Sequence, residues 1–169
     1  RAYVEMSGRK GLGVKADDLM DALEQKATEA VREGIKSEGL SDEELRELGR
    51  RVAVAALRYF MLRYGRNKVI AFDFDEALRF EGDSGPYLQY STVRVQNIFR
   101  KMSERGVDAR IDEREVDDLT LNQGLTDEMW ELVRLSAELP GAIRRAVDAL
   151  ELSIATQYLL ELAQKFNSF

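Results

Sequence analysis

Cysteine and histidine are both absent from this 169-residue sequence. Without cysteine there is no disulfide, thiolate metal site or thiol nucleophile, and nothing points to an oxidising compartment. The missing histidine excludes more. The commonest general base and the commonest metal ligand go with it, so serine–histidine–aspartate hydrolysis, histidine-held zinc and histidine proton transfer are ruled out within the chain. Proline occurs only at Pro86 and Pro140, and each reads as a first helical residue, where a missing N–H costs nothing. No apolar run nears the roughly 20 residues that span a bilayer, so no membrane partner is expected. Excess positive charge is lacking too: the net charge is −6 and the pI about 4.9. That argues against a sequence-indifferent nucleic-acid binder with a broad basic surface, and leaves local basic faces open.

What is present describes a globular, strongly solvated protein, 44% hydrophobic and 33% charged. The length suits one good core or two small ones. No internal repeat or low-complexity tract interrupts it. The sequence opens at Arg1 with neither an initiator methionine nor a signal peptide, and reads as a piece of a longer protein.

Periodicity predicts an all-α helical bundle. After a glycine-rich, basic stretch over residues 1–15, Leu19, Leu23, Ala27, Ala30 and Val31 recur at helical spacing from Asp17 to about Glu33. Ser41 and Glu44 form a capping box into a second helix that Gly65 ends. Its apolar stripe is Leu45, Leu48, Val52, Ala55, Tyr59 and Leu62; Arg46, Arg50, Arg58 and Arg63 make a cationic, solvated face. Residues 69–75 alternate weakly and predict one short strand, with Phe72, Phe74, Leu78 and Phe80 turned inward and Asp73 and Asp75 in water. A calcium loop is rejected there, because the alternating ligands and the glutamate at the twelfth position are missing.

Residues 81–85 read as a turn and a hinge between two helical halves. Pro86 opens a third long helix to about Arg105, with Tyr87, Tyr90, Ile98, Phe99 and Met102 on its apolar side. Arg94, Gln96, Arg100, Lys101 and Arg105 face the other way. Aromatics beside cations suit RNA stacking and phosphate contact, and core packing explains the aromatics equally well. A charge-dense linker follows over 106–122. Thr126 caps the next helix, whose buried side is expected to be Met129, Trp130, Leu132 and Val133. Pro140 starts another, with Ile143, Val147 and Leu150 on one face and Arg144 and Arg145 on the other. The last helix, about 152–167, carries Ala155, Leu159, Leu162, Ala163 and Phe166 as its stripe.

Three separated blocks carry a family resemblance. Gly82-Asp83-Ser84-Gly85-Pro86-Tyr87-Leu88-Gln89-Tyr90 resembles the segment that arginyl-tRNA synthetases place where catalytic body and anticodon-binding helices join. Glu5-Met6-Ser7-Gly8-Arg9-Lys10-Gly11, with Asp17-Asp18-Leu19 after it, is similar to the Lys-Met-Ser-Lys-Ser loop of class I aminoacyl-tRNA synthetases in its arginyl form. It departs from that loop at Glu5, Gly8 and Arg9. Tyr158-Leu159-Leu160-Glu161-Leu162-Ala163-Gln164-Lys165-Phe166-Asn167-Ser168-Phe169 looks like a helix of the all-helical anticodon-binding domain, and the match stops as the chain stops.

The resemblance implies residues 1–85 as the end of a class I catalytic region and residues 86–169 as an anticodon-binding helical domain truncated at its C-terminus. It implies arginine–tRNA ligase activity in the full-length protein: ATP, with Mg2+, activates L-arginine as an adenylate, and the acyl group passes to tRNA. Arg9 and Lys10, beside Met6 and Ser7, are the loop residues that would steady the ATP phosphates. Tyr87, Gln89, Tyr90 and Arg94 are expected near the inner stem of the tRNA, Arg94 as a phosphate contact, and Tyr158, Lys165 and Asn167 near the anticodon arm. The family's His-x-Gly-His nucleotide motif cannot be here, so the fragment is expected to be catalytically silent, to bind no cofactor alone, and to be monomeric and cytoplasmic. Two alternatives stay open. One is a non-catalytic helical interaction or scaffold module related to class I synthetases; the other is the equivalent part of a cysteinyl- or methionyl-tRNA synthetase, against which the segment from Gly82 to Tyr90 favours arginyl.

Overall fold

The computed structural model describes residues 13, 15–34, 39–108 and 126–169, and among them it is helical with no strand. Among the described residues seven helices follow in order: α1 (Ala16–Gly34), α2 (Asp42–Leu62), α3 (Phe74–Ala77), α4 (Gly85–Glu104), α5 (Asp127–Ala137), α6 (Leu139–Asp148) and α7 (Leu152–Ser168). They divide into two compact units, residues 1–87 and residues 88–169.

In the first unit α1 and α2 pack on each other. Asp17 and Asp18 sit in the first turn of α1, where the helix dipole favours them. The predicted capping box starts α2: Ser41 N–H donates to Glu44 Oε2 at 2.8 Å, and Glu44 N–H donates to Ser41 Oγ at 3.3 Å. The bond from the Ser41 backbone, joined by that from its hydroxyl, holds the Glu44 carboxyl below the usual range. Leu23, Ala27 and Val31 of α1 meet Leu45, Val52 and Ala53 of α2 in the core. Each buried leucine or valine contributes about 1.5–3 kcal/mol of hydrophobic stabilisation. Gly49 permits the close approach, since a Cβ there would stand 2.1 Å from Thr28 Oγ1 and 2.8 Å from Thr28 Cα.

The expected strand does not form. Residues 69–73 are irregular, and Asp73 caps the short α3 by accepting from Asp75 N–H at 2.9 Å and Glu76 N–H at 3.0 Å. A lone strand has no partner for its backbone groups among these helices, whereas an aspartate at a helix start has two amides to satisfy. The aromatic expectation holds for Phe72 and Phe74, which continue an edge-to-face series from Phe60 with centroids 4.8 and 5.2 Å apart. Phe80 is exposed instead of turned inward.

In the second unit α5, α6 and α7 pack around Leu135, Ala142 and Tyr158, with Leu162 against them. The contact faces are not the expected ones. Ala142 and Ala146 of α6 are buried, while Ile143, Val147 (63% exposed) and Leu150 (74%) face outward. On α5 Leu135 is buried and Trp130 is 56% exposed. Alanines let α6 approach its neighbours closely, so small side chains take the inner face and leave the large ones outside. Leu150 then ends α6 in a Schellman arrangement at φ 51°. Its N–H bonds Val147 O at 3.0 Å and the next N–H, from Glu151, bonds Ala146 O at 2.9 Å.

Candidate nucleic-acid interface

The hinge segment is fastened to α2 in the first unit. Ser84 Oγ donates to the Arg79 carbonyl and accepts from Tyr87 N–H at 3.2 Å, capping the first turn of α4. Gly85 lies flat on α2: a Cβ there would stand 2.4 Å from the Ala55 carbonyl oxygen. Tyr59 donates its hydroxyl proton to Asp83 Oδ1 at 2.5 Å. Burial, with that carboxylate beside it, pushes the phenol above its ordinary pKa.

Arg63, expected on a solvated face, is buried, its side chain only 7% exposed. Nη1 donates to Asp83 O at 2.7 Å, and Nη2 donates to Tyr64 Oη at 2.5 Å and to the Glu76 carboxylate. The guanidinium carbon lies 4.4 Å from the Phe60 ring centroid and 4.7 Å from that of Tyr64. Burial works against its charge, but the bonds to Glu76 and Tyr64 outweigh that and raise its pKa. Arg63 keeps helical backbone angles and follows the buried Tyr59 by four residues and Phe60 by three, so helical spacing places it on the inner stripe of α2. The aromatic and acidic residues near it, Phe60, Tyr64, Glu76 and Asp83, are a second sequence signal.

The second unit holds the other candidate residues. Arg94 Nη1 on α4 donates to Asn167 O at 3.0 Å and to Asn167 Oδ1 at 3.1 Å in the last turn of α7. Asn167 Nδ2 donates to Ser91 Oγ at 2.7 Å, and the Arg94 guanidinium lies 5.3 Å from the Phe166 ring centroid. Tyr90 is 55% exposed, and Gln89 is half-buried. Lys165 is exposed and pairs with Glu131 of α5 at 2.7 Å. Tyr158 is buried, its hydroxyl donating to the Leu135 carbonyl at 2.8 Å. It ties α7 to α5 and offers RNA no surface. Tyr87 belongs to the first unit and is half-buried. Met6, Ser7, Arg9 and Lys10 lie outside the described residues.

A cleft of about 650 Å3 opens between α4, α5 and α7, with Val95, Ile98, Phe99, Leu159 and Phe166 on its walls. Its hydroxyls are turned to backbone or to Asn167: Thr92 donates to Leu88 O at 3.0 Å and Ser136 to Leu132 O at 2.8 Å. Lys101, Arg105, Arg144 and Arg145 are exposed cations of the same unit. Among the described residues no cluster of acidic side chains has the arrangement to hold a metal ion, and no helix is long and apolar enough to cross a membrane.

This second unit is an anticodon-binding helical domain: residues 88–169 match the family described as "DALR anticodon binding domain". The chain as a whole is 38% identical over 165 residues to the arginine–tRNA ligase of Thermococcus kodakarensis, which covers 96% of this chain and 25% of that protein. It is 34% identical to the arginine–tRNA ligase of Lactococcus lactis, over 98% of this chain and 27% of that one. The fold superposes on Thermus thermophilus arginyl-tRNA synthetase with a TM-score of 0.77, at 30% identity, covering 97% of this chain and 24% of that one. The Plasmodium falciparum enzyme shares the fold with a TM-score of 0.75 at 23% identity, over 92% of this chain and 26% of that one. Along nearly its whole length the chain is similar to arginyl-tRNA synthetases, and it spans about a quarter of the length of these relatives.

Proposed function

We propose that this chain is the RNA-binding portion of a longer ligase that uses ATP, with Mg2+, to attach L-arginine to its tRNA, and that it holds the anticodon arm of that tRNA. The observation that carries the reading is the match of residues 88–169 to an anticodon-binding domain. Its fold supports it: a helical unit with exposed cations and an exposed tyrosine can meet phosphates and stack a base without any buried reaction centre. Gln89 and Tyr90 on α4 and Lys165 on α7 are the side chains of this unit we assign to the RNA, with Tyr87 in the first unit beside the inner stem. Arg9 and Lys10 serve the ATP phosphates of the whole enzyme. The chain has no histidine, so the family's histidine-based nucleotide motif must be supplied by another part of that enzyme, which works in the cytoplasm.

Two titrations test this. The chain should bind tRNA for arginine more tightly than an unrelated tRNA at the same salt concentration, because the anticodon-arm contact is sequence-bearing. It should also fail to catalyse arginine-dependent ATP–pyrophosphate exchange. Equal affinity for both RNAs, or exchange by the chain alone, would refute the reading.

A further inference from the structure

We propose that Arg94 is a positioning residue, not a phosphate contact: with Asn167 and Ser91 it seats the last turn of α7 on α4 and so sets the RNA-facing surface of the second unit. The inference rests on the RNA-binding role proposed above and departs from the expectation that Arg94 meets the RNA backbone.

Three hydrogen bonds carry it. Arg94 Nη1 reaches both the backbone and the side-chain oxygen of Asn167, at 3.0 and 3.1 Å, and Asn167 Nδ2 returns to α4 at Ser91 Oγ, 2.7 Å away. The backbone oxygen is one of the carbonyls that a helix end leaves without an intrahelical donor, and a cation there also complements the negative end of the helix dipole. Phe166, one residue earlier, puts its ring 5.3 Å from the guanidinium. Arg94, Ser91 and Asn167 are at most half-exposed, and Ser91 is buried. Both bonds to Asn167 leave from Nη1, so that nitrogen of the half-buried guanidinium is committed to α7 and not to a phosphate.

The location gives the clamp a consequence. Ser91 and Phe166 also line the apolar cleft between α4, α5 and α7, so the polar contacts close one end of a gap that is otherwise bridged by apolar side chains. Apolar contacts tolerate sliding; a guanidinium held by two acceptors and a ring does not. Lysine cannot replace it, because a single ammonium lacks both the planar face and the fixed donor geometry.

Binding of tRNA for arginine by the full chain, measured across a salt series, separates the roles. If Arg94 clamps, Arg94→Ala, Arg94→Lys and Asn167→Ala each weaken binding by about tenfold, the scale of one charge-assisted hydrogen bond. The double variant Arg94→Ala/Asn167→Ala is then no worse than the poorer single one, and the slope of log affinity against log salt stays that of the wild type. If Arg94 contacts a phosphate, Arg94→Lys and Asn167→Ala bind like wild type, and Arg94→Ala lowers the slope by about one. That pattern overturns the proposal. Thermal melts of the same variants provide an independent readout: the clamp requires the two single losses in Tm to be non-additive, and additive losses overturn it. A wild-type chain that binds no RNA would sink the functional reading, and the melts would still decide whether the clamp exists.

Discussion

Replacing Gly85 by alanine sets two effects of opposite sign against each other. Alanine is the better helix former, by up to about 1 kcal/mol, and less at a first helical residue. Against that, the new methyl would stand 2.4 Å from the Ala55 carbonyl oxygen, 2.7 Å from its carbon and 2.9 Å from Ala56 N. These are backbone atoms of a packed helix and cannot rotate away, and ordinary carbon contacts lie about 1 Å further out. Overpacking of this kind costs about 1–3 kcal/mol. Moving the start of α4 off α2 also disturbs the neighbouring bonds of Arg63 and Tyr59 to Asp83, the first of them charge-assisted and worth about 1.5–3 kcal/mol. The steric side wins, and the net expectation is a loss of about 2–4 kcal/mol. Urea unfolding followed by far-ultraviolet dichroism should show a lower midpoint for the first unit. Fluorescence of Trp130, the single tryptophan, follows the second unit and should move less. Gly82→Ala is the control: at φ +74° with open space around it, it should lose only the left-handed backbone strain, about 1 kcal/mol. A Gly85→Ala protein as stable as wild type would refute the close packing of the hinge on α2.

Other expectations follow from single sites. Leu150→Gly should raise stability by about 0.5–1 kcal/mol in thermal melts, because Leu150 ends α6 at φ 51° and is too exposed for its side chain to compensate. Tyr158→Phe should cost about 1 kcal/mol by removing one buried hydrogen bond, while the Leu135 carbonyl keeps the Glu138 N–H at 3.1 Å. Tyr59 is an acid whose folded pKa lies above its unfolded value, so its contribution is fully present below about pH 10 and is lost as the pH rises beyond that. Alkaline unfolding should therefore begin above about pH 10 and be blunted in Tyr59→Phe. Glu44 has the opposite sign: its lowered pKa gives stability present above the ordinary glutamate value and lost as acid protonates it. Glu44→Gln should flatten the acid limb of the stability–pH curve.

The helices were legible in the sequence because their signals are local. Asp17 and Asp18, the Ser41–Glu44 box, Pro86 and Thr126 each mark a start through groups within a turn of one another, and the structure begins helices beside all of them. The α1 and α2 stripes were also readable, since leucine and valine at helical spacing there do meet across the core. What failed depended on distant neighbours. Nothing within α6 says that Ala142 and Ala146 face inward while Ile143 and Val147 stay outside; that follows from how near α6 must come to its neighbours. Residues 69–75 had strand-like alternation but, among the described residues, no second strand to pair with.

The candidate site divides along the same line. The hinge was recognisable as a short motif, yet its fastening to α2 through Arg63 and Tyr59 is tertiary, and Arg63 looked like one more surface cation. Arg94 and Asn167 were both singled out from sequence, in separate helices and for RNA contact. Their bond to each other spans 73 residues and could be seen only once α4 and α7 were placed.

Arginine charging is the most direct test of the central claim. A protein that carries this chain, supplied with ATP and L-arginine, should load arginine onto its tRNA, and deleting residues 88–169 should abolish that loading while leaving the rest folded. Charging undiminished by the deletion would contradict an anticodon-binding role for these helices.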